Sequence, residues 1–173
     1  MNHQGTKTIR TERLILRALE LEDAKTLFAN GCLGSTQEEA GQIVGGMMQY
    51  AQDQDNYHWG LEYNGQVVGR VKITEISPRD NYMQLAYDVG TSYRNLGLMT
   101  EAVRGVIDFL FREVGVHRVY GQCRAHNIAS ARVMLKVGMV HEGRQRKHYI
   151  ESDGTYSDVD IYGILQEDFF TAV

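Results

Sequence analysis

The sequence predicts a mixed α/β fold, and three observations carry that reading. Strand-like and helix-like segments follow one another in the order β-α-α-β-β-β-α-β-α-β-β. Asn64-Gly65 stands between two runs rich in aromatic and β-branched residues, the strongest short-range signal for a hairpin. In the second half, amphipathic helices alternate with strands, as crossover units do.

The elements can be justified in chain order. Residues 14–18 alternate as a strand, and residues 21–29 read as a helix. A longer helix over 36–51 is opened by Ser35-Thr-Gln-Glu38, which has the spacing of a capping box. Residues 57–63 and 66–76 are the hairpin strands, and residues 83–89 form the next strand. Tyr57, Trp59 and Tyr63 recur on one face of their strand and are expected to pack in the core. After Gly97, Val103, Val106, Ile107, Leu110 and Phe111 form an apolar stripe at helical spacing. Residues 118–123 are a strand. Asn127 is then a good N-cap, Ala131, Met134 and Leu135 give the next helix a short apolar face, and Gly138 suits its left-handed C′ position. Residues 159–165 close the sheet.

With 173 residues and 43% hydrophobic content, the chain can bury a sizeable core, and one domain over residues 1–173 is expected. No apolar run is long enough to cross a membrane, and the N-terminal segment lacks a signal peptide's apolar core. The net charge of −4 argues against nucleic-acid binding, which needs a broad cationic surface. Arg144-Gln-Arg-Lys-His148 is a short basic cluster and reads as a solvated edge or loop. Cys32 and Cys123 make no metal or redox motif, read as small buried hydrophobes, and fit a reducing cytoplasm.

The richest stretch for function is Tyr93-Arg-Asn-Leu-Gly-Leu-Met-Thr-Glu-Ala102. A strand, a glycine turn and a helix start in succession leave several backbone N–H groups unpaired and parallel. The helix dipole adds partial positive charge there, so the turn suits a phosphate or pyrophosphate. It is not a P-loop, because no Gly-Lys-Ser/Thr follows, and Gly97 stands alone where a dinucleotide fingerprint needs three glycines.

Arg94-Asn-Leu-Gly-Leu-Met99 resembles the Arg/Gln-x-x-Gly-x-Gly/Ala signature of the GNAT acetyltransferase superfamily, with Met99 where Gly or Ala is usual. Asn127-Ile-Ala-Ser130 through Lys136-Val-Gly138-Met139 resembles that family's Asn-x-x-Ser/Ala…Lys-x-Gly-Phe element. Thr11-Glu-Arg-Leu-Ile-Leu-Arg17, Glu142-Gly143 and Gly154-Thr-Tyr-Ser-Asp158 with Tyr162 resemble the ribosomal-protein N-terminal acetyltransferase (RimJ/RimL-type) branch. The resemblance implies one GNAT-like domain, a largely antiparallel central sheet splayed in the middle, with helices on both faces. It also implies acetyl-CoA as co-substrate, held by the backbone of Arg94, Asn95, Leu96, Gly97, Leu98, Met99 and Thr100. Val89 would offer its amide to the acetyl oxygen, and Asn127 would contact the pantetheine arm or the substrate.

Direct acetyl transfer to an amine requires a proton acceptor, an oxyanion donor, a proton for the leaving thiolate, and positioning. Many family members place a tyrosine acid where this chain has Met134; the RimJ/RimL resemblance points instead to Ser130. A glutamate base of some members falls on Met83 here. His148, Asp88, Glu75 and Asp158 remain as candidate bases, alone or through water. His148 is preferred among them because an imidazole titrates near neutrality. Tyr87, Tyr149 and Tyr162 are candidates for the acceptor cleft. The acceptor is a protein N-terminus or a small-molecule amine, with neither nucleic acid nor membrane as partner, and free sheet edges would allow a homodimer. A non-catalytic acyl-CoA-binding or sensing module is the competing reading, kept open by Met83, Met99 and Met134.

Overall fold

The computed structural model describes residues 1–51 and 53–171. Their mixed α/β arrangement divides into two units, Met1–Ile73 with Ala86–Gly115, and Thr74–Leu85 with Val116–Val173.

In the first unit, strands β1 (Ile9–Arg10), β2 (Ile15–Arg17), β3 (His58–Tyr63) and β4 (Gln66–Ser77) pair antiparallel in that order. The predicted first strand is shorter than expected at its start, and a short partner precedes it. Thr11 and Leu14 close a tight turn, with Thr11 N–H donating to the Leu14 carbonyl at 3.0 Å, so pairing begins only at Ile15. The β3–β4 hairpin turns on Asn64 and Gly65 at φ 51° and 76°, the doubly left-handed turn the dipeptide predicts. Trp59 and Tyr57 are buried as expected; Tyr63 is only half-buried and meets Tyr93 edge-on.

Helices α1 (Asp23–Ala29) and α2 (Gln37–Tyr50) pack Leu27, Cys32, Leu33, Ala40 and Val44 into a cluster with Leu19 and Val67. The cap of α2 sits one residue later than the sequence suggested. Thr36 is the N-cap and accepts from Glu39 N–H at 3.1 Å, while the Glu39 carboxylate accepts from Ser35 N–H at 2.6 Å. Strand β5 (Tyr82–Val89) is shared by the two units, and α3 (Leu98–Phe109) follows in the first. Its predicted stripe is fully buried, from Val103 to Phe111, and it unwinds through a π turn, Leu110–Val114, before left-handed Gly115 at φ 74°.

In the second unit, the start of β5 pairs parallel with β6 (Arg118–Arg124), Tyr82 against Arg118 through Leu85 against Gly121, and the ladder ends there. Strands β7 (Val140–Ile150) and β8 (Tyr156–Leu165) complete the order β5-β6-β8-β7, the last two interfaces being antiparallel. Alternation along β6 buries Val119, Gly121 and Cys123 and turns Arg118, Tyr120, Gln122 and Arg124 to the opposite face. Helix α4 (Ile128–Lys136) covers the first of these faces, where a Cβ on Gly121 would meet the Met134 sulfur at 3.1 Å. Of α4 only Met134 is buried, with half-buried Ala131 and the buried C-cap Val137 in line with it at i, i+3 spacing; Leu135 lies round the helix from them and is 52% exposed, contrary to the expected face. Gly138 takes φ 98° as the C′ residue. A short α5 (Gln166–Thr171), which the sequence pattern did not reveal, continues directly from β8 and buries Phe169.

Candidate active site

The glycine loop lies in the first unit. After β5 the chain makes a 3-10 turn over Thr91–Tyr93, with Tyr93 N–H donating to the Gly90 carbonyl at 2.9 Å. Asn95 and Gly97 then both take left-handed backbone, at φ 62° and 79°, and α3 starts at Leu98 with Gly97 as its N-cap. No side chain caps this helix, whereas Thr36 caps α2 and Asn127 caps α4. The first-turn amides of Leu98, Met99 and Thr100 thus remain available to an anion. Arg94, Asn95, Leu96 and Gly97 are exposed, while Leu98 and Met99 are buried. The Met99 side chain therefore joins the core instead of crowding the loop. Val89 is half-buried at the end of β5, and Gly69 is required beside it: a Cβ there would meet the Asp88 carbonyl oxygen at 2.5 Å.

The loop is braced by residues that motif spacing gave no role. Arg13 donates from Nη1 to the Leu96 carbonyl at 2.9 Å and from Nε to Glu101 at 2.7 Å. Glu101, in the first turn of α3, also accepts from Thr11 Oγ1 at 2.6 Å and Arg13 N–H at 2.7 Å. Burial alone would raise the Glu101 carboxyl; the Thr11 and Arg13 hydrogen bonds outweigh it and hold the pKa below the usual value. Because the folded value is depressed, its stabilisation is present above the unfolded carboxyl value and fades as pH falls through the folded one. Glu101→Gln should therefore cost about 2 kcal/mol near neutrality, the scale of hydrogen bonds to a charged group, with the deficit shrinking in acid. Urea unfolding of both proteins across pH measures this, and equal stability at neutral pH would deny the brace.

Asn127 and Ser130 lie in the second unit. The Asn127 side chain accepts from Ser130 N–H at 3.1 Å, so Asn127 serves as the N-cap predicted for it. Ser130 is half-buried at the first turn of α4. Burial raises the Cys123 thiol, Asp160 adds to the rise, and the Ser130 hydroxyl, hydrogen-bonded to that thiol, partly offsets it. Met134 and Met83 are 1% and 0% exposed, so both act as core fillers where other family members carry polar groups.

The base candidates differ sharply in setting. His148 is exposed on β7, edge-on to Tyr149 with centroids 4.8 Å apart, and has no carboxylate partner among the described residues. The imidazole held by a carboxylate is His141, whose Nε2 lies 3.3 Å from Asp160 and whose ring packs on Tyr162. Asp160 is 6% exposed and also accepts from Arg144 Nε and Nη2 at 2.7 and 2.8 Å; these bonds, the Arg144 ones foremost, keep its pKa low. Asp158 accepts from Lys147 N–H at 2.8 Å, securing a bulge in which Lys147 takes φ 52°. Asp88, in the first unit, pairs with Arg70 Nε at 2.6 Å; burial raises its pKa against that pair. Glu75 accepts from Tyr82 and Tyr120 hydroxyls at 2.7 and 2.5 Å. Of the acceptor-cleft tyrosines, Tyr162 is buried, and Tyr149 accepts from Gln122 at 2.8 Å.

The chain is similar to known acetyltransferases. YoaA of Bacillus subtilis, an uncharacterized N-acetyltransferase, is 24% identical over 91% of this chain and 96% of its own. The ribosomal protein uS5-alanine N-acetyltransferase of Escherichia coli is 31% identical over 43% of this chain and 38% of its own. RimJ of Mycobacterium smegmatis, solved in complex with CoA-disulfide, superposes with a TM-score of 0.81 at 22% identity, covering 93% of this chain and 88% of that one, a likeness of fold. Residues 13–140 match the acetyltransferase (GNAT) domain, and the chain belongs to the GNAT acetyltransferase family.

Proposed function

We propose that this acetyltransferase moves an acetyl group directly from acetyl-CoA to a primary amine, either a protein N-terminus or a small molecule. The observation that carries the reading is the open start of α3, where left-handed Asn95 and Gly97 present the uncapped amides of Leu98–Thr100. A pyrophosphate is the natural occupant of such a turn. The β5–β6 ladder ends at Leu85–Gly121, four residues before Val89, so β5 leaves that ladder before reaching the residue assigned to the acetyl oxygen. Arg94, Asn95 and Leu96 line the loop, Asn127 serves the cofactor arm, and Ser130 protonates the leaving thiolate. His148, as base, receives less support than Ser130, because among the described residues its ring packs on Tyr149 and has no carboxylate partner.

A protein N-terminus is favoured as acceptor by the Escherichia coli relative, whose name gives an alanine of ribosomal protein uS5 as its target. That relationship also suits a cytoplasmic protein. The domain spans residues 1–173 in this reading, with neither nucleic acid nor membrane as partner. A homodimer through β7 is allowed by its place at the end of the strand order. The test is release of free CoA thiol from acetyl-CoA with a panel of N-terminal peptides and small amines. Tight acetyl-CoA binding without transfer to any amine would favour the non-catalytic module; the burial of Met99 takes its side chain off the loop, while Met83 and Met134 still leave the usual base and acid positions without a titratable group.

A further inference from the structure

A cleft of about 430 Å³ in the second unit is lined by Tyr82, Arg118, Tyr120, Glu142, Arg144 and Ile161, among others. Tyr82 and Tyr120 meet edge-on at 5.8 Å, and their hydroxyls converge on one carboxylate, Glu75, at 2.7 and 2.5 Å. Tyr120 also lies 3.2 Å from Gln84. Three strands, β4, β5 and β6, thus meet at this group.

The charges around the cleft do not balance. Arg118 pairs with Glu142, and that pair lies flat over Gly163, where a Cβ would strike both side chains. Arg144 is held by Asp160. Each cation is thereby neutralised. Glu75 is exposed and its two partners are neutral phenols; no basic side chain pairs with it among the described residues. The surplus charge is therefore one negative unit beside two aromatic rings, and one of those rings already lies 5.6 Å from a guanidinium, that of Arg118. A carboxylate fixed by two hydroxyl donors next to aromatic faces suits an ammonium or guanidinium group. The adjoining cleft, lined by the same two tyrosines, has the volume of a small-ligand site.

Building on the acetyltransferase reading, we propose that Glu75, Tyr82 and Tyr120 form a subsite for a basic group carried by the acceptor, such as a lysine or arginine side chain next to the acetylated amine. The site sets which acceptor binds; it does not touch the transferred acetyl group.

Ala-Lys amide and its isostere Ala-norleucine amide differ only in the second ammonium, and they are the probes. Calorimetry on the wild-type protein should show the lysine peptide bound on the order of tenfold more tightly, the scale of a charge-assisted hydrogen bond. Steady-state KM values should keep that ratio. Glu75→Gln should erase the preference without changing acetyl-CoA affinity, with at most a small fall in melting temperature from the weakened hydroxyl bonds, and Glu75→Lys should transfer it to Ala-Glu amide. Equal binding of the two amides by the wild-type protein would overturn the subsite, whatever the variants do. So would a preference that survives Glu75→Gln. The two proposals fail separately: a binding preference without acetyl transfer sinks the enzymatic reading alone, and transfer to both amides with equal KM sinks the subsite alone.

Discussion

Ser130→Ala should lower kcat by roughly a hundredfold, or somewhat less, with little change in acetyl-CoA affinity. The serine would protonate a thiolate that exists only as the thioester breaks, so its removal acts on the transition state and not on binding. General-acid effects span roughly 10²–10⁴-fold, and the low end applies because water can partly replace a hydroxyl. The variant's structural loss is the hydroxyl's bond to the Cys123 thiol. The Asn127 cap is made to the Ser130 backbone N–H, which alanine retains, so α4 keeps its start. Alanine is also the better helix former. A purely structural serine predicts unchanged turnover and a neutral or slightly raised melting temperature. That outcome would end the acid assignment and shift it to Tyr162, a phenol whose pKa burial keeps high. Turnover, affinity and melting temperature on one sample decide between the two.

Gly97→Val should weaken acetyl-CoA by tenfold or more. Gly97 sits at φ 79°, where a residue with a Cβ is strained by about 1–2 kcal/mol and a branched one more. A Cβ there would also come within 3.4 Å of the Arg13 guanidinium that braces Leu96. Relief of the backbone strain turns the Leu98–Thr100 amides away from a common target. The same strain lowers stability, so the melting temperature should fall by a few degrees. The matched control is Asn95→Gly, which keeps the left-handed backbone at φ 62° and should bind normally; Asn95→Ala would strain the loop for a reason unrelated to its amide. Unchanged affinity in Gly97→Val would reduce the loop to a turn.

What the sequence made legible follows from range. Local periodicity placed α3, its buried stripe, the Asn64-Gly65 hairpin and the Asn127 cap, because each is set by neighbours within a few residues. The α2 cap slipped by one position because Ser35 and Thr36 both cap well and glutamates stand at both 38 and 39. Two features escaped for want of length, β1 with two residues and α5 with six. The brace between Arg13 and Glu101 spans 88 residues, and no spacing rule reaches that far. Met99 is the instructive case: the sequence shows that a side chain replaces Gly or Ala, and only packing shows that it points inward. Histidines on β7 were ambiguous for another reason. Register shifts between His141 and Gly143 and between Gln145 and Tyr149 break the two-residue alternation, so facing cannot be counted along the strand. The Glu-Gly and Gly-x-Tyr-x-Asp motifs turn out to hold strands together: Glu142 ties β7 to Arg118 on β6, and Asp158 secures the β7–β8 hairpin through the Lys147 amide.

The central claim is that the open start of α3 holds the pyrophosphate of acetyl-CoA. The most direct measurement is thermal unfolding with and without acetyl-CoA, with dephospho-CoA as a second ligand sharing the pyrophosphate. At a hundred times its dissociation constant, a ligand that binds only the folded chain adds about 2.7 kcal/mol. For a protein of this length, that corresponds to a rise of roughly 5–10 °C. Both ligands should produce it in the wild-type protein and in Ser130→Ala, and Gly97→Val, at tenfold weaker affinity and the same ligand concentration, should keep only about half of it. No shift in the wild-type protein with millimolar acetyl-CoA would contradict the account.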